Sequence, residues 1–175
     1  MEEQNESVSV KQVSFKWGLI SAIISIVLFL VIYFGGLSGE SWIVLVSIAI
    51  TVVLMYLAHK EFKESGNGYM SYSQGLGIGT LMSVIGGAIY VVFVYVYTKF
   101  INTGYTQEMI DLQRMKMEDQ GLSDVQIDTA MGYVEKFTSP EMTVVMGLVG
   151  AVLFGFIIAL IVSAITKKND PSLEV

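Results

Sequence analysis

A chain of 175 residues that is 53% hydrophobic and only 15% charged, with a mean hydropathy of +0.62, is too apolar for an ordinary soluble domain and suits a single membrane unit. It has no cysteine, which excludes disulfides, thiolate chemistry and cysteine-dependent metal sites, and it has one histidine, His59. A net charge of -6 argues against nucleic acid as a partner, because phosphate binding needs clustered Lys and Arg.

Residues 1–16 are polar, carry Glu2, Glu3, Glu6, Lys11 and Lys16, and read as a mobile tail. Residues 17–37 hold no charge and are long enough, at ~1.5 Å per residue, to cross a ~30 Å hydrocarbon core. A cleaved signal peptide is the rival reading, but the run exceeds an ordinary apolar h-region of about 7–15 residues, so an uncleaved first span is expected. Gly35, Gly36, Ser38 and Gly39 break it, and a second apolar run, 42–58, follows after a link so short that the two must form an antiparallel hairpin. Its helix is expected to continue past His59 to Glu64, with Lys60 and Glu64 at i and i+4, until residues 65–68 stop it.

The third span, 74–99, opens with Ser71-Tyr72-Ser73-Gln74, a capping box that satisfies two otherwise orphaned backbone donors. Small residues then recur at every fourth position, Gly75, Gly79, Ser83 and Gly87, and form one stripe along a helix. Apolar side chains gain nothing by leaving apolar lipid tails, so membrane helices associate through close packing at such stripes. The fourth span, 142–165, opens with Ser139-Pro140-Glu141 and carries a matching stripe, Gly147, Ala151, Gly155, Ala159 and Ser163. The two spans run in opposite directions. Their pairing therefore predicts Gly75 against Ser163, Gly79 against Ala159, Ser83 against Gly155 and Gly87 against Ala151, with Ser83 placed to bond across the interface. Gly18 and Ala22 in the first span echo Gly75 and Gly79 and suggest a weak parallel repeat.

Between spans three and four, residues 105–138 read as an acidic helical hairpin. Thr106 is expected to cap its first helix and Gly121 to end it; Ser123-Asp124-Val125-Gln126 boxes the second. Ile127, Ala130, Met131, Val134 and Phe137 give that second helix an apolar face opposite mainly acidic residues, so it should dock on the bundle or a protein partner in preference to anionic lipid. Residues 17–168 thus form an all-α, four-helix transmembrane domain, followed by a polar tail, 169–175. Lys11, Lys16, Lys60, Lys63, Lys167 and Lys168 cluster at one side, which predicts cytoplasmic termini and an extracytoplasmic hairpin. Trp17 and Tyr56 would mark the inner interface; Tyr33, Trp42, Tyr95 and Tyr97 would mark the outer one.

Phe15-Lys16-Trp17-Gly18-Leu19, then Gly66-Asn67-Gly68-Tyr69-Met70-Ser71-Tyr72-Ser73-Gln74-Gly75-Leu76, then Gln120-Gly121-Leu122-Ser123 with Glu135-Lys136-Phe137-Thr138-Ser139-Pro140, resemble the bacterial membrane family called domain of unknown function 4199. The resemblance covers nearly the whole chain. It implies a four-span protein of the bacterial cytoplasmic membrane and carries no catalytic or binding residue with it.

No intramembrane ionisable group of the kind that couples ion transport stands in the spans. Ser21, Ser25, Ser47, Thr51, Thr80 and Ser83 read as bonded to their own or a neighbouring helix. His59, without a second histidine nearby, reads as an interfacial residue. Met109, Met115, Met117 and Met131 are a soft-ligand set, but their spacing fits gap-filling better than Cu(I). No catalytic constellation, cofactor or metal is expected. Two functions remain: a non-enzymatic assembly protein that packs with itself or another membrane protein through its stripes, or a channel or small-molecule transporter subunit whose pathway is backbone at Gly75, Gly77, Gly79, Gly86 and Gly87.

Overall fold

The computed structural model describes residues 8–171, whose regular structure is helical; apart from one isolated antiparallel bridge between Met70 and Lys168, no strand pairing occurs among the described residues. In chain order the α-helices are α1 (Val10–Phe34), α2 (Trp42–Glu64), α3 (Tyr72–Val96), α4 (Tyr105–Asp119), α5 (Asp124–Phe137) and α6 (Pro140–Thr166). α3 runs on through a π-helical turn, Tyr97–Ile101. Four helices, α1, α2, α6 and α3 with that turn, are long and apolar enough to cross a membrane.

The first helix starts earlier than the expected span. Ser9 accepts from the Lys11 amide at 3.2 Å while the Gln12 side chain accepts from the Ser9 amide at 3.2 Å, the same reciprocal cap that Ser71 and Gln74 make at the head of α3. Residues 10–16 therefore belong to α1 and not to a tail, and Val13 and Ser14 are buried. Of the predicted tails, residues 1–7 and 172–175 lie outside the described residues. At α4 the cap is Gly104, so Thr106 sits inside the first turn instead of ahead of it. Gly121 follows α4 with a φ of +75°, a left-handed conformation that only glycine adopts without strain. Ser123 and Gln126 box α5, which buries Ile127 and Met131.

α3 is the axis of the bundle, packed along α6 on one side and along α1 on the other. Small residues allow both approaches. On the α1 side Gly18 lies so close to Ile85 that a Cβ there would fall 2.9 Å from its side chain, Ala22 is buried, and Gly86 faces Ser21.

The end where α1 begins and α6 finishes, called the terminal end below, is the tightly bolted one. Val13, Leu54, Ala58, Phe62, Met70, Ile78 and Met82 cluster there, with Met55, Ala159 and Val162 beside them. Met70 and Lys168 exchange backbone hydrogen bonds at 2.9 Å and tie the approach to α3 to the exit from α6. At the opposite, distal end Phe29, Tyr33, Tyr90, Phe93, Tyr97 and Tyr105 form an aromatic cluster, with Phe29 5.3 Å from the Tyr97 ring. Tyr97 is buried in that cluster, so it does not mark an interface as the sequence suggested.

Candidate functional site

The two stripes meet in one chain. A Cβ built on Gly79 would lie 2.8 Å from Ala159 and 2.7 Å from Met55 Sδ, one on Gly75 would lie 3.0 Å from Ser163 Oγ, and Gly87 and Gly155 press on Ala151 and Ser83 respectively. One turn beyond, Gly147 receives Val91 at 2.7 Å from a would-be Cβ. The stripe residues of α3 and α6 thus face each other, and Ser83, Gly87, Ala151 and Gly155 also border the cavities described below. Ser83 does not bond across: its hydroxyl donates to Gly79 O of its own helix at 2.9 Å. Of the glycines considered as a transport path, Gly75 and Gly79 pack on Ser163 and Ala159 and Gly77 faces Val10, whereas Gly86 and Gly87 line a cavity described below.

His59 is fully buried, not interfacial. Its Nε2 lies 2.9 Å from Gly75 O on α3 and its Nδ1 lies 2.8 Å from Thr166 Oγ1 on α6. A carbonyl only accepts, so Nε2 must carry a proton, and Nδ1 of the neutral ring then takes the Thr166 proton. That proton has a second acceptor, Val162 O, at 2.7 Å. Lys63 Nζ donates to Thr166 O at 2.9 Å, placing a cation on the last turn of α6, where the helix dipole favours it. One side chain thus joins α2, α3 and α6. Sequence reading missed it because its partners stand far away along the chain and one of them is a backbone carbonyl.

Below this bolt α2 is held; above it α2 stands off. All its buried residues, Leu54, Met55, Ala58, His59 and Phe62, lie in the half toward the terminal end. Nothing from Trp42 to Val53 is buried. Two cavities flank this free half, of about 390 Å³ toward α1 and about 420 Å³ toward α6. Ser25, Ser47 and Thr51 line both, so the two meet behind α2 as one cleft. Met82, Gly86 and Tyr90 of α3 floor the first; Ser83 and Gly155 line the second. Neither lining includes a charged side chain.

The distal mouth is roofed. Tyr33 donates to Glu108 at 2.8 Å and accepts from Asn102, and Tyr105 packs on Tyr33 at 5.3 Å between ring centres. Burial pushes the Tyr105 phenol above its ordinary value, so this part of the roof stays uncharged. Lys116 of α4 donates to Gly39 O, which ties the α1–α2 link to the same roof. Met131 is buried in α5 and no group of three His, Asp or Glu able to hold a metal occurs among the described residues.

Among known proteins, the family model described as protein of unknown function, DUF4199, matches residues 16–168. No curated protein and no solved structure matches the chain. The matched segment takes in α1 from Lys16, all of α2 to α6, both stripes and the whole cleft, and the chain belongs to the DUF4199 family of proteins of unknown function.

Proposed function

We propose that this chain is a non-enzymatic membrane protein that holds one small, uncharged amphiphile in the cleft behind α2. The observation that carries this is the contrast between the two halves of α2, one bolted through His59 and one standing clear of the bundle over a space lined by serine and threonine. Each cavity is of the size that small-molecule sites take, about 300–1,000 Å³. Assembly through the small-residue stripes is less favoured, because the two stripes face each other inside one chain. Self-association or a second membrane protein would have to use the lipid-facing sides of α2 and α6 instead.

The test is whether a small molecule travels with the protein. Wild type purified from its native membranes in mild detergent should release a non-protein amphiphile on extraction. Ser25→Trp, which fills the point where the two cavities meet, should carry several-fold less at unchanged helix content. Equal small-molecule content in both would defeat the binding reading.

The same reading places the chain in the bacterial cytoplasmic membrane with both termini inside and the acidic α4–α5 hairpin outside. It is supported by the family resemblance and by the lysines of the terminal end, of which Lys16 pairs with Glu61 at 2.7 Å and Lys63 caps α6. The natural absence of cysteine makes single engineered cysteines clean reporters. Gln120→Cys is expected to react with an impermeant thiol reagent on intact cells and Asn67→Cys only after lysis; the opposite pattern would invert the orientation.

A further inference from the structure

We propose that a hollow between α1 and α3 at the terminal end is a site for one anionic phospholipid, with its phosphate at Lys11 and Gln12 and an acyl chain in the groove below them; it is separate from the cleft behind α2 and stands or falls without it. The start of α1 presents three faces. Val13 and Trp17 pack into the cluster that holds α2. Ser14 is buried against α3, its hydroxyl donating to Val10 O at 2.7 Å and lying 3.3 Å from Ile78 O, and Gly18 meets Ile85 one turn further on. Lys11 and Phe15, also one turn apart, are left on the third face and are exposed. Leu81 and Ile85 stand one turn apart on α3, and these two short ridges flank a hollow of about 470 Å³ with Ser14 at its back. Phe15 is 57% exposed and Leu81 39%, so on a membrane-spanning pair of helices the hollow opens to lipid.

Charge and apolar surface are arranged here as a lipid carries them. Phe15, Leu81 and Ile85 are hydrocarbon, and the Ser14 proton is already committed to backbone, so the interior of the hollow suits an acyl chain. Leu19 and Ile23 on α1 and Ile89 on α3 are exposed and prolong the same ridges for a chain longer than the hollow. At the rim, Lys11 has no acidic partner among the described residues. Its neighbours at this end are occupied: Lys16 with Glu61, Lys60 with Glu64, Lys63 with Thr166 O, and Lys168 over the Tyr69 ring. Gln12 spends its Oε1 on the Ser9 amide at 3.2 Å, which leaves its two amide protons, and these only donate. The rim therefore offers a cation and two donors and no carboxylate, which is the complement of a phosphate diester. A zwitterionic head brings the same phosphate together with a cation that Lys11 repels and no lining carboxylate receives. A lysine at the membrane surface favours anionic lipid in just this way.

The probes are phosphatidylglycerol and phosphatidylcholine with identical acyl chains, offered at equal mole fraction to the delipidated full-length protein in detergent, with the first bound adduct counted by native mass spectrometry. Wild type should take phosphatidylglycerol about fivefold over phosphatidylcholine. Lys11→Gln should bring the two lipids to near parity by lowering phosphatidylglycerol alone. Gln12→Glu keeps the acceptor that caps α1 and sets a carboxylate beside Lys11, so it should abolish the preference at unchanged helix content. Leu81→Trp, on the exposed ridge, fills the hollow and should lower both lipids. Lys167→Gln removes the same charge at the same end of the protein but outside the hollow, and should leave the preference intact. Equal uptake of the two lipids by wild type would overturn the proposal. So would a loss in Lys167→Gln as large as that in Lys11→Gln, which would reduce the effect to general charge attraction, or a Leu81→Trp protein that binds phosphatidylglycerol as wild type does. Lys11→Gln and Gln12→Glu change exposed side chains, so a folding defect in Leu81→Trp does not decide the outcome. The cleft is tested by Ser25→Trp, which none of these variants touches.

Discussion

Leucine at Gly79 is expected to lower the thermal midpoint of the detergent-solubilised protein by roughly 6–12 °C, the equivalent of about 3 kcal/mol in a chain of this length. At Gly79 three helices meet. A Cβ there already falls 2.7 Å from Met55 Sδ on α2 and 2.8 Å from Ala159 on α6, and a leucine adds a branched group beyond it. The methionine end can swing aside; the alanine cannot, because its Cβ is fixed to the α6 backbone. α6 must therefore move away from α3, and the contacts at Gly75, Ser83 and Gly87 loosen with it. Gly150→Leu is the matched control, since nothing lies within 4 Å of a Cβ at Gly150 and leucine favours helix. Midpoints at one scan rate should separate the two variants. A Gly79→Leu protein as stable as Gly150→Leu would mean that α3 and α6 do not make this contact.

His59→Leu is expected to cost roughly 2–4 kcal/mol. Leucine fills much of the ring's space but answers neither Gly75 O nor Thr166 Oγ1, and both of those atoms sit in a region from which water is excluded. The loss should be felt in α2 above all, because His59 is its polar link to both α3 and α6. Ala58 is fully buried next to it, so an Ala58→Cys reporter should be silent toward maleimide in the wild-type background and reactive once His59 is leucine. His59→Gln, which keeps a donor near the Nε2 position, should recover part of the protection. If the reporter stays silent in His59→Leu, the histidine is packed there without holding α2.

The spans and the contact between the third and fourth of them were legible because one signal repeats without noise: small residues at every fourth place on charge-free helices. Once the two helices run in opposite directions, one match such as Gly79 with Ala159 determines the others. The start of α1 carried a readable signal that went unused, since Ser9-Val10-Lys11-Gln12 is the same Ser-x-x-Gln cap that announced α3. Charge at Lys11 and Lys16 hid it, although Lys16 reaches Glu61 and Lys11 lies at the edge of a surface hollow near Phe15. His59 could not be read. A lone histidine among lysines near a helix end looks interfacial, and only the fold brings Gly75 and Thr166 to it.

The cleft was half-legible. Ser21 and Ser25, and Ser47 and Thr51, are one helical turn apart, so each pair shares a face; Ser21, Ser47 and Thr51 bond to their own helices as expected, whereas no such bond forms at Ser25 or at the buried Thr80. What the chain does not announce is the gap beside them. Only the fold brings Ser25 of α1, Ser47 and Thr51 of α2 and the small residues of α3 around that space.

The most direct measurement is therefore whether the stripes close within one chain. A Cβ at Gly155 lies 3.7 Å from Ser83 Cα, well inside the reach of a disulfide, which needs Cα atoms within about 7 Å. Oxidation of the Ser83→Cys, Gly155→Cys double variant in native membranes should give a disulfide inside a single chain. Leu81→Cys with Leu153→Cys, on outward faces, should give none. Links between chains in the first variant, or a link in the second and none in the first, would return the stripes to the surface and contradict the packing of α3 on α6.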